Sequence, residues 1–269
     1  MATVFQHNIA LSFFTEDEKQ EHDPFVYEHV LGLIVSGSVD FYTDNKAVSH
    51  YTGTLSLIRK NQLVKAVKKI DPVSNKFISI NIFLTQDALK KYSLEYGIKS
   101  EKVYSGASNV LLENDAFMRG YFDSLLPYLA KPEILTPILA QAKTTEAIEL
   151  LLRNPVLKDF LFDFSEPYKI DLEAYMNRHF SYNVPLVQFA KLTGRSLSSF
   201  KRDFMKIFSV TPEKWLQKRR LEMAHFLISQ KNRKPSDVYL EVGFENLSHF
   251  STVFKKEFGV NASSLQQKY

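Results

Sequence analysis

Between residues 194 and 259 the chain writes one pattern of apolar and polar positions twice. Phe200, Phe204 and Phe208 return as Phe250, Phe254 and Phe258, each pair 50 residues apart, with Ser, Thr, Lys and Arg prominent between them. Residues four apart share one helical face, so each triplet predicts a short helix with an apolar stripe toward a core and a hydroxyl-rich, basic face outward. Two copies are too few for a solenoid and predict a pair of similar small modules instead. Ahead of each copy, residues 185–192 and 235–242 read as about two turns of amphipathic helix, opened by Pro185 and Pro235 and closed by turns at Gly194 and Gly243. Helix, Gly-containing turn and second helix form the helix-turn-helix, whose second helix enters the DNA major groove. The recognition helices are predicted at about 197–208 and 248–258.

Residues 171–180 predict one further helix beneath the first module. Between the modules, Thr211-Pro212-Glu213 opens a long helix, with Thr as N-cap and Pro in the first turn, running to about Ser229. Such a strut is roughly 25 Å long and can hold two recognition helices about one DNA turn, roughly 34 Å, apart.

The N-terminal half has a different rhythm. From residue 27 to 84 apolar positions alternate with polar ones and are broken by turns, suggesting a small antiparallel barrel or sandwich lined by Leu33, Val35, Val39, Phe41, Leu55, Leu57, Phe77 and Ile80. After Gln86 the spacing becomes helical, with helices predicted over 110–129 and 134–152, divided by Pro127, Pro132 and Pro137. The second is apolar on two sides, through Ile138, Leu139, Ala142, Ile148, Leu151 and Leu152. Two readings fit: a dimer interface, or burial between the barrel and a neighbouring helix. A linker is predicted near 163–169, giving domains over 1–165 and 170–269.

Composition narrows the chemistry. The 269 residues suit two domains, and the absence of cysteine excludes disulfides, thiolate metal sites and a cysteine nucleophile. His7, His22, His29 and His50 lack the spacing of a metal site, and no phosphate loop or nucleophile elbow is present, so no catalytic residue, cofactor or metal is expected. No apolar run reaches about 18 residues and no export signal is evident, so a cytoplasmic protein away from membranes is expected. The net charge of +4 is uneven: residues 170–269 carry +7 and residues 1–169 carry −3, which places the basic surface with the helix-turn-helix modules.

The segment from about 186 to 264 resembles the DNA-binding domain of AraC/XylS-type bacterial transcription regulators. Ala190, Gly194, Ser196, Phe200, Arg202, Phe204, Thr211-Pro212, Arg220-Leu221, Ala224, Val238, Gly243-Phe244, Ser248, Phe250-Ser251, Phe254-Lys255-Lys256 and Gly259 carry the match. Ser209, Tyr239, Thr252 and Ala262 depart from it, standing where Gly, Ala, Arg and Pro are usual. Val35 to Gly37 followed by Gly53 to Ile58 resembles the cupin-like sensory domain found ahead of such modules. Lys143 and Glu146 among apolar neighbours, with Arg59 to Val64, look most like the branch containing activators of type III secretion. The resemblance implies an α+β chain: an N-terminal cupin-like antiparallel β-barrel with helices, then an all-α domain of two helix-turn-helix modules joined by a long helix. It further implies a transcription activator that binds double-stranded DNA, with RNA polymerase as a partner and a homodimer through helices in 110–152. The effector is expected to be a protein partner or an apolar small molecule, because a sugar site needs convergent polar groups and the expected barrel lining is large and apolar.

On a helical wheel Ser198, Ser199, Arg202 and Lys206 lie opposite the first Phe stripe, with Ser196 at the turn; Ser248, His249, Thr252, Lys255 and Lys256 occupy the second face, with Asn246 in the turn. Arg202 suits bidentate readout of guanine, against the alternatives of pairing with Asp203 or touching phosphate alone. Lys255 and Lys256 suit phosphate, as do Lys218 and Arg219 on the strut, while Trp215 is expected in the core. Two other functions compete: an architectural protein of low sequence specificity, and a cupin-type enzyme fused to a DNA-binding domain.

Overall fold

The alternating N-terminal positions pair into antiparallel sheets in the computed structural model, which describes residues 2–15, 25–43, 46–165 and 169–265. His22, the turn residues Asp44 and Asn45, and positions 166–168 of the expected linker lie outside them. Contacts divide the chain into two units, Met1–Ser165 and Glu166–Tyr269.

In the first unit the strands are β1 (Ala2–Gln6), β2 (Ile9–Phe14), β3 (Phe25–Val26), β4 (His29–Ser36), β5 (Ser38–Thr43), β6 (Lys46–Tyr51), β7 (Leu55–Ile58), β8 (Gln62–Leu63), β9 (Lys65–Lys69), β10 (Phe77–Leu84) and β11 (Asn109–Leu112). The helices are α1 (Gln86–Tyr96), α2 (Ala116–Asp123), α3 (Pro127–Ala130), α4 (Pro137–Leu152) and α5 (Val156–Phe162). A six-stranded sheet runs β1-β2-β10-β4-β7-β11, a three-stranded sheet β6-β5-β9, and β3 pairs with β8.

Period two fixes alternation but not which face meets what, and here the structure corrects the expected lining. Leu55, Leu57 and Ile80 join Leu31, Ile82 and Leu84 in a core shared with Leu89, Tyr121, Ile148 and Phe160 of the helices, with Leu33 and Val35 packed at its edge. Only Val39, Phe41 and Phe77 of the expected set pack between the two sheets, with Ile34. Ser79 and Asn81 share the Phe77 face of β10; Ser79 stands opposite Ser12 and Ile34, and Asn81 opposite Ala10 and Gly32. Ser12, Ser56 and Ser79 are buried there.

The helical reading of 110–129 is also corrected. Asn109–Leu112 is an edge strand, with Val110 opposite Leu57 and Leu112 opposite Leu55. A four-residue apolar run is too short for spacing to separate strand from helix. The helix begins only where Asp115 Oδ1 accepts the Phe117 and Met118 amides at 3.0 and 2.9 Å. The strand reading, which starts at residue 27, misses β1 and β2 altogether. On α4, Ile148 and Leu151 are each 1% exposed, so they belong to the unit's own core and cannot form a dimer face, whereas Ile138 is 80% exposed.

The second unit contains α6 (Leu172–His179), α7 (Leu186–Leu192), α8 (Leu197–Phe208), α9 (Pro212–Lys231), α10 (Pro235–Glu241) and α11 (Leu247–Phe258). Phe200, Phe204, Phe250 and Phe254 are fully buried, and Phe208 and Phe258 half-buried, so the two stripes behave alike. Helix α9 closes both. Trp215 meets Phe204 and Phe208 with ring centroids 5.6 and 4.7 Å away, and ten residues on, His225 meets Phe254 and Phe258 at 6.2 and 4.7 Å. Leu221, Ala224 and Ile228 continue into the second module's core. At 20 residues α9 is longer than expected, about 30 Å.

The repeat is not perfect. Helices α8 and α11 are 50 residues apart, but α7 and α10 only 49, and the extra residue lengthens the second turn. Pro235 occupies the first turn of α10, whereas Pro185 is the N-cap of α7 rather than a helical residue. Where Gly259 ends α11 with φ 75°, Ser209 ends α8 with φ 57°, a left-handed conformation that an L side chain adopts at a cost. Ser209→Gly should therefore stabilise the second unit by about 0.5 to 1 kcal/mol after the greater chain entropy of Gly is subtracted. Thermal and urea unfolding of both proteins would measure this, and no gain would mean that the αL strain is relieved in some other way.

Candidate nucleic-acid interface

Each recognition helix starts at a side-chain cap, which engages two of the expected DNA-contacting residues. Ser196 Oγ accepts the Ser199 amide at 3.2 Å and donates to Ser199 Oγ at 3.1 Å. Asn246 Oδ1 accepts the Ser248 and His249 amides at 2.8 and 3.0 Å. Ser196 and Asn246 thus orient the helix N-termini, whose partial positive charge favours nearby phosphate.

Beyond the caps, Ser198, Arg202 and Lys206 on α8 and Ser248, His249, Thr252, Lys255 and Lys256 on α11 are exposed, and Ser199 is half-buried. Arg202 is 63% exposed and its Nε stands 3.6 Å from Asp203 Oδ1, beyond hydrogen-bond length. The tighter claim on Asp203 is Arg195, whose Nε donates to Oδ2 at 3.2 Å and holds the carboxyl below its usual range. Arg195 Nη1 also donates to Ile170 O and Thr193 O at 3.1 and 2.6 Å, so the turn before α8 is fixed while the Arg202 fork stays open to solvent. Thr252 donates its hydroxyl proton to Ser248 O at 2.9 Å, leaving a methyl group and an acceptor for any partner.

The wheel centres slightly away from the expected faces. Taking Ser198 as zero, Met205, Arg202 and Lys201 lie within about 60°. Lys201 was missed; it is half-exposed and pairs with Glu213 at 3.3 Å. Leu197 and Leu247, both 39% exposed at the first helical position, were missed as well. A strict reading of the 50-residue repeat would have flagged both as a matched pair.

On α9, Lys218 is exposed and Arg219 half-buried, with partners of its own. Its guanidinium lies 5.4 Å from the Phe180 ring and 6.0 Å from Trp215, and Nη1 donates to Glu222 at 2.9 Å. Its side chain is still 40% exposed, so this surface pair does not remove Arg219 from the cations that could meet phosphate. In the first unit, His29 is buried against Phe160 with Nδ1 accepting the Lys60 amide at 3.3 Å, and burial lowers its pKa to about 3, so it is neutral and cannot serve as a proton switch near neutral pH. Among the described residues no group of three or more His, Asp or Glu is arranged to hold a metal ion, and no helix is long and apolar enough to cross a membrane.

Two helix-turn-helix modules sharing one long helix define a DNA-binding class of fold. Residues 189–268 match the model of a helix-turn-helix domain, and residues 29–163, half of the chain, match the ExsA N-terminal regulatory domain. The chain belongs to the AraC-type regulator family, in the branch that carries this N-terminal domain. It is 28% identical over 134 residues to the transcriptional regulator ExsA of Pseudomonas aeruginosa, covering 49% of this chain and 48% of ExsA. The thermoregulatory protein LcrF of Yersinia pestis is 28% identical over 92 residues, 34% of each chain. The chain thus spans about half of ExsA and about a third of LcrF, whereas the match to the transcriptional activator RhaS of Escherichia coli, 24% identical over 263 residues, covers 94% of this chain and 88% of RhaS. Among solved structures, an apo variant of ToxT from Vibrio cholerae aligns over 96% of this chain and 97% of its own at 11% identity, with a TM-score of 0.48.

Loss of a cap should show directly. Asn246→Ala should destabilise the second module by about 1 kcal/mol and fray α11 at its start, seen as faster amide exchange at Ser248 and His249 than in the parent. Unchanged exchange there would mean that the cap is dispensable.

Proposed function

We propose that the chain is a sequence-specific DNA-binding regulator of transcription, an activator acting in the cytoplasm. Residues 170–269 bind DNA, and residues 1–165, cupin-like in architecture, sense a signal and mediate dimerisation. The observation that carries this reading is the pair of recognition helices, 50 residues apart, with matched outward faces and a shared supporting helix. On this reading Arg202 reads a base, with Ser198, Ser199 and Lys206 beside it. Ser248, His249 and Thr252 make the corresponding contacts in the second groove, and Lys218, Arg219, Lys255 and Lys256 neutralise phosphate. RNA polymerase is the partner an activator needs, and no catalytic role is proposed.

Arg202→Ala should lose about 1 to 3 kcal/mol on the best site and relax preference at one base position; Lys255→Ala should weaken all duplexes alike and lower the salt slope by about one. Selection from a randomised duplex pool at near-physiological salt, followed by titration of both variants, measures this. A pool that yields no preferred sequence would favour the architectural alternative.

Dimerisation within 110–152 is retained with a changed face. The exposed large apolar side chains there include Leu111, Phe117, Ile134, Ile138 and Leu139, and of these Ile138 and Leu139, at 80% and 37%, lie on α4 itself. Ile138→Lys with Leu139→Lys should yield a folded monomer by sedimentation and circular dichroism; a folded double mutant that stays dimeric sinks the assignment. The effector is proposed to be a protein partner or an apolar small molecule. The matched N-terminal regulatory domain supports a sensing role without naming the effector, and the apolar-lining argument weakens because most of that lining faces the helices.

A further inference from the structure

Arg220, on α9, donates to carbonyl groups of both modules at once. Its Nε reaches Phe180 O at 2.8 Å and its Nη2 reaches Tyr182 O at 2.9 Å, both in the loop between α6 and α7. Its Nη1 reaches Gly243 O at 2.9 Å, in the turn between α10 and α11. A second link runs beside it, from Asn183 Nδ2 to Glu245 Oε1 at 2.6 Å. Gly243 has φ +97°, and a Cβ there would stand 2.5 Å from Ser181 O and 2.9 Å from Arg220 Nε, so the bare backbone is what allows the second turn to lie against the first loop. The planar guanidinium presents its donors at fixed angles, and three carbonyls held at once define orientation as well as distance. A helix alone does this less well, since long helices bend gently.

We infer that Arg220 is a positioning residue that sets the separation and rotational phase of α8 and α11, and through them the half-site spacing that the domain accepts on DNA. This rests on the proposed reading that both helices enter major grooves. The side chain has no DNA-facing role in this account: its three polar nitrogens are all used within the domain, and it is largely buried.

The test uses the full chain with Arg220→Lys and Arg220→Met, and duplexes carrying the selected site with zero to ten base pairs inserted between its halves. The parent should lose about 100-fold in affinity on a five-base-pair insertion, which turns the second half-site to the far side of the duplex. Both variants should melt cooperatively, bind the unaltered site about tenfold or more weakly than the parent, and change by less than about threefold across the insertions, because the modules no longer share one fixed phase. A folded variant that keeps the parent's spacing profile overturns the inference. If neither variant folds, Arg220 is a folding determinant and the positioning role is abandoned. A parent indifferent to insertion refutes the two-groove reading itself, which is a different outcome from indifference in the variants alone.

Discussion

Both DNA-binding modules depend on one constraint: neither is large enough to bury three phenylalanines by itself, so both must bury them against α9. Trp215 closes the first stripe, and Leu221, Ala224, His225 and Ile228 the second, so the one helix is committed to both cores. A small domain has little margin over its conformational entropy, and a shared helix lets the same ordered backbone serve two cores. The same sharing couples the modules, while the gentle bending open to a long helix leaves their exact rotational phase to be set by other contacts. The polar bonds of Arg220 and Asn183 act on a geometry that hydrophobic packing has already brought close.

The two copies have diverged where packing leaves freedom. Stripe positions are kept as Phe in both, whereas the caps differ as Ser196 and Asn246, the C-terminal residues as Ser209 and Gly259, and the turns by one residue. The outward faces diverge most. The first presents Lys201 and Arg202, long cations with several donors; the second presents Ser251 and Thr252, both bonded back to their own helix, with Lys255 and Lys256 near its end. Short, self-satisfied hydroxyls suit apolar or single hydrogen-bond contacts, and terminal lysines suit phosphate. On the proposed reading, finer base discrimination would fall to the first module and more of the sequence-independent affinity to the second.

How far the sequence could be read follows from the kind of signal each region carries. Period four with Phe at every stripe position is unambiguous, and α8, α9 and α11 lie where the pattern places them, to within two residues. Period two in the first half locates strands without saying which side is inside. Leu33, Leu55, Leu57 and Ile80 thus went to the wrong face, since two packed layers, helices on one side and a second sheet on the other, both accept apolar side chains. Asn109–Leu112 was misread because its neighbours in space, Leu55–Ile58, are some fifty residues away in sequence, and only tertiary pairing makes it a strand. Among the expected DNA-facing side chains, the neighbours of Arg219 were not legible for a related reason: its guanidinium lies 5.4 Å from the ring of Phe180, the residue that caps α6, nearly forty residues away in sequence.

The same logic changes the meaning of the stretch Arg59 to Val64, which in sequence looks like a mark of functional branch. Arg59 pairs with Asp163 at 2.7 Å and donates to Tyr104 O at 3.1 Å; the Lys60 amide donates to His29; Asn61 takes φ 56° and donates its amide to Val26 O at 2.7 Å. These bonds tie the end of β7 to the start of β4 and to the residues just beyond α5. Asp163 is 5% exposed, and a buried carboxylate is tolerated only with its charge paired and its oxygens hydrogen-bonded, which Arg59, the Tyr104 amide and Ser165 accomplish together. A sequence signature of this sort is explained by packing before any signal is invoked. In this chain the stretch closes the sheet onto its last helix, and the groups that would meet a partner must be sought among side chains the fold does not already use.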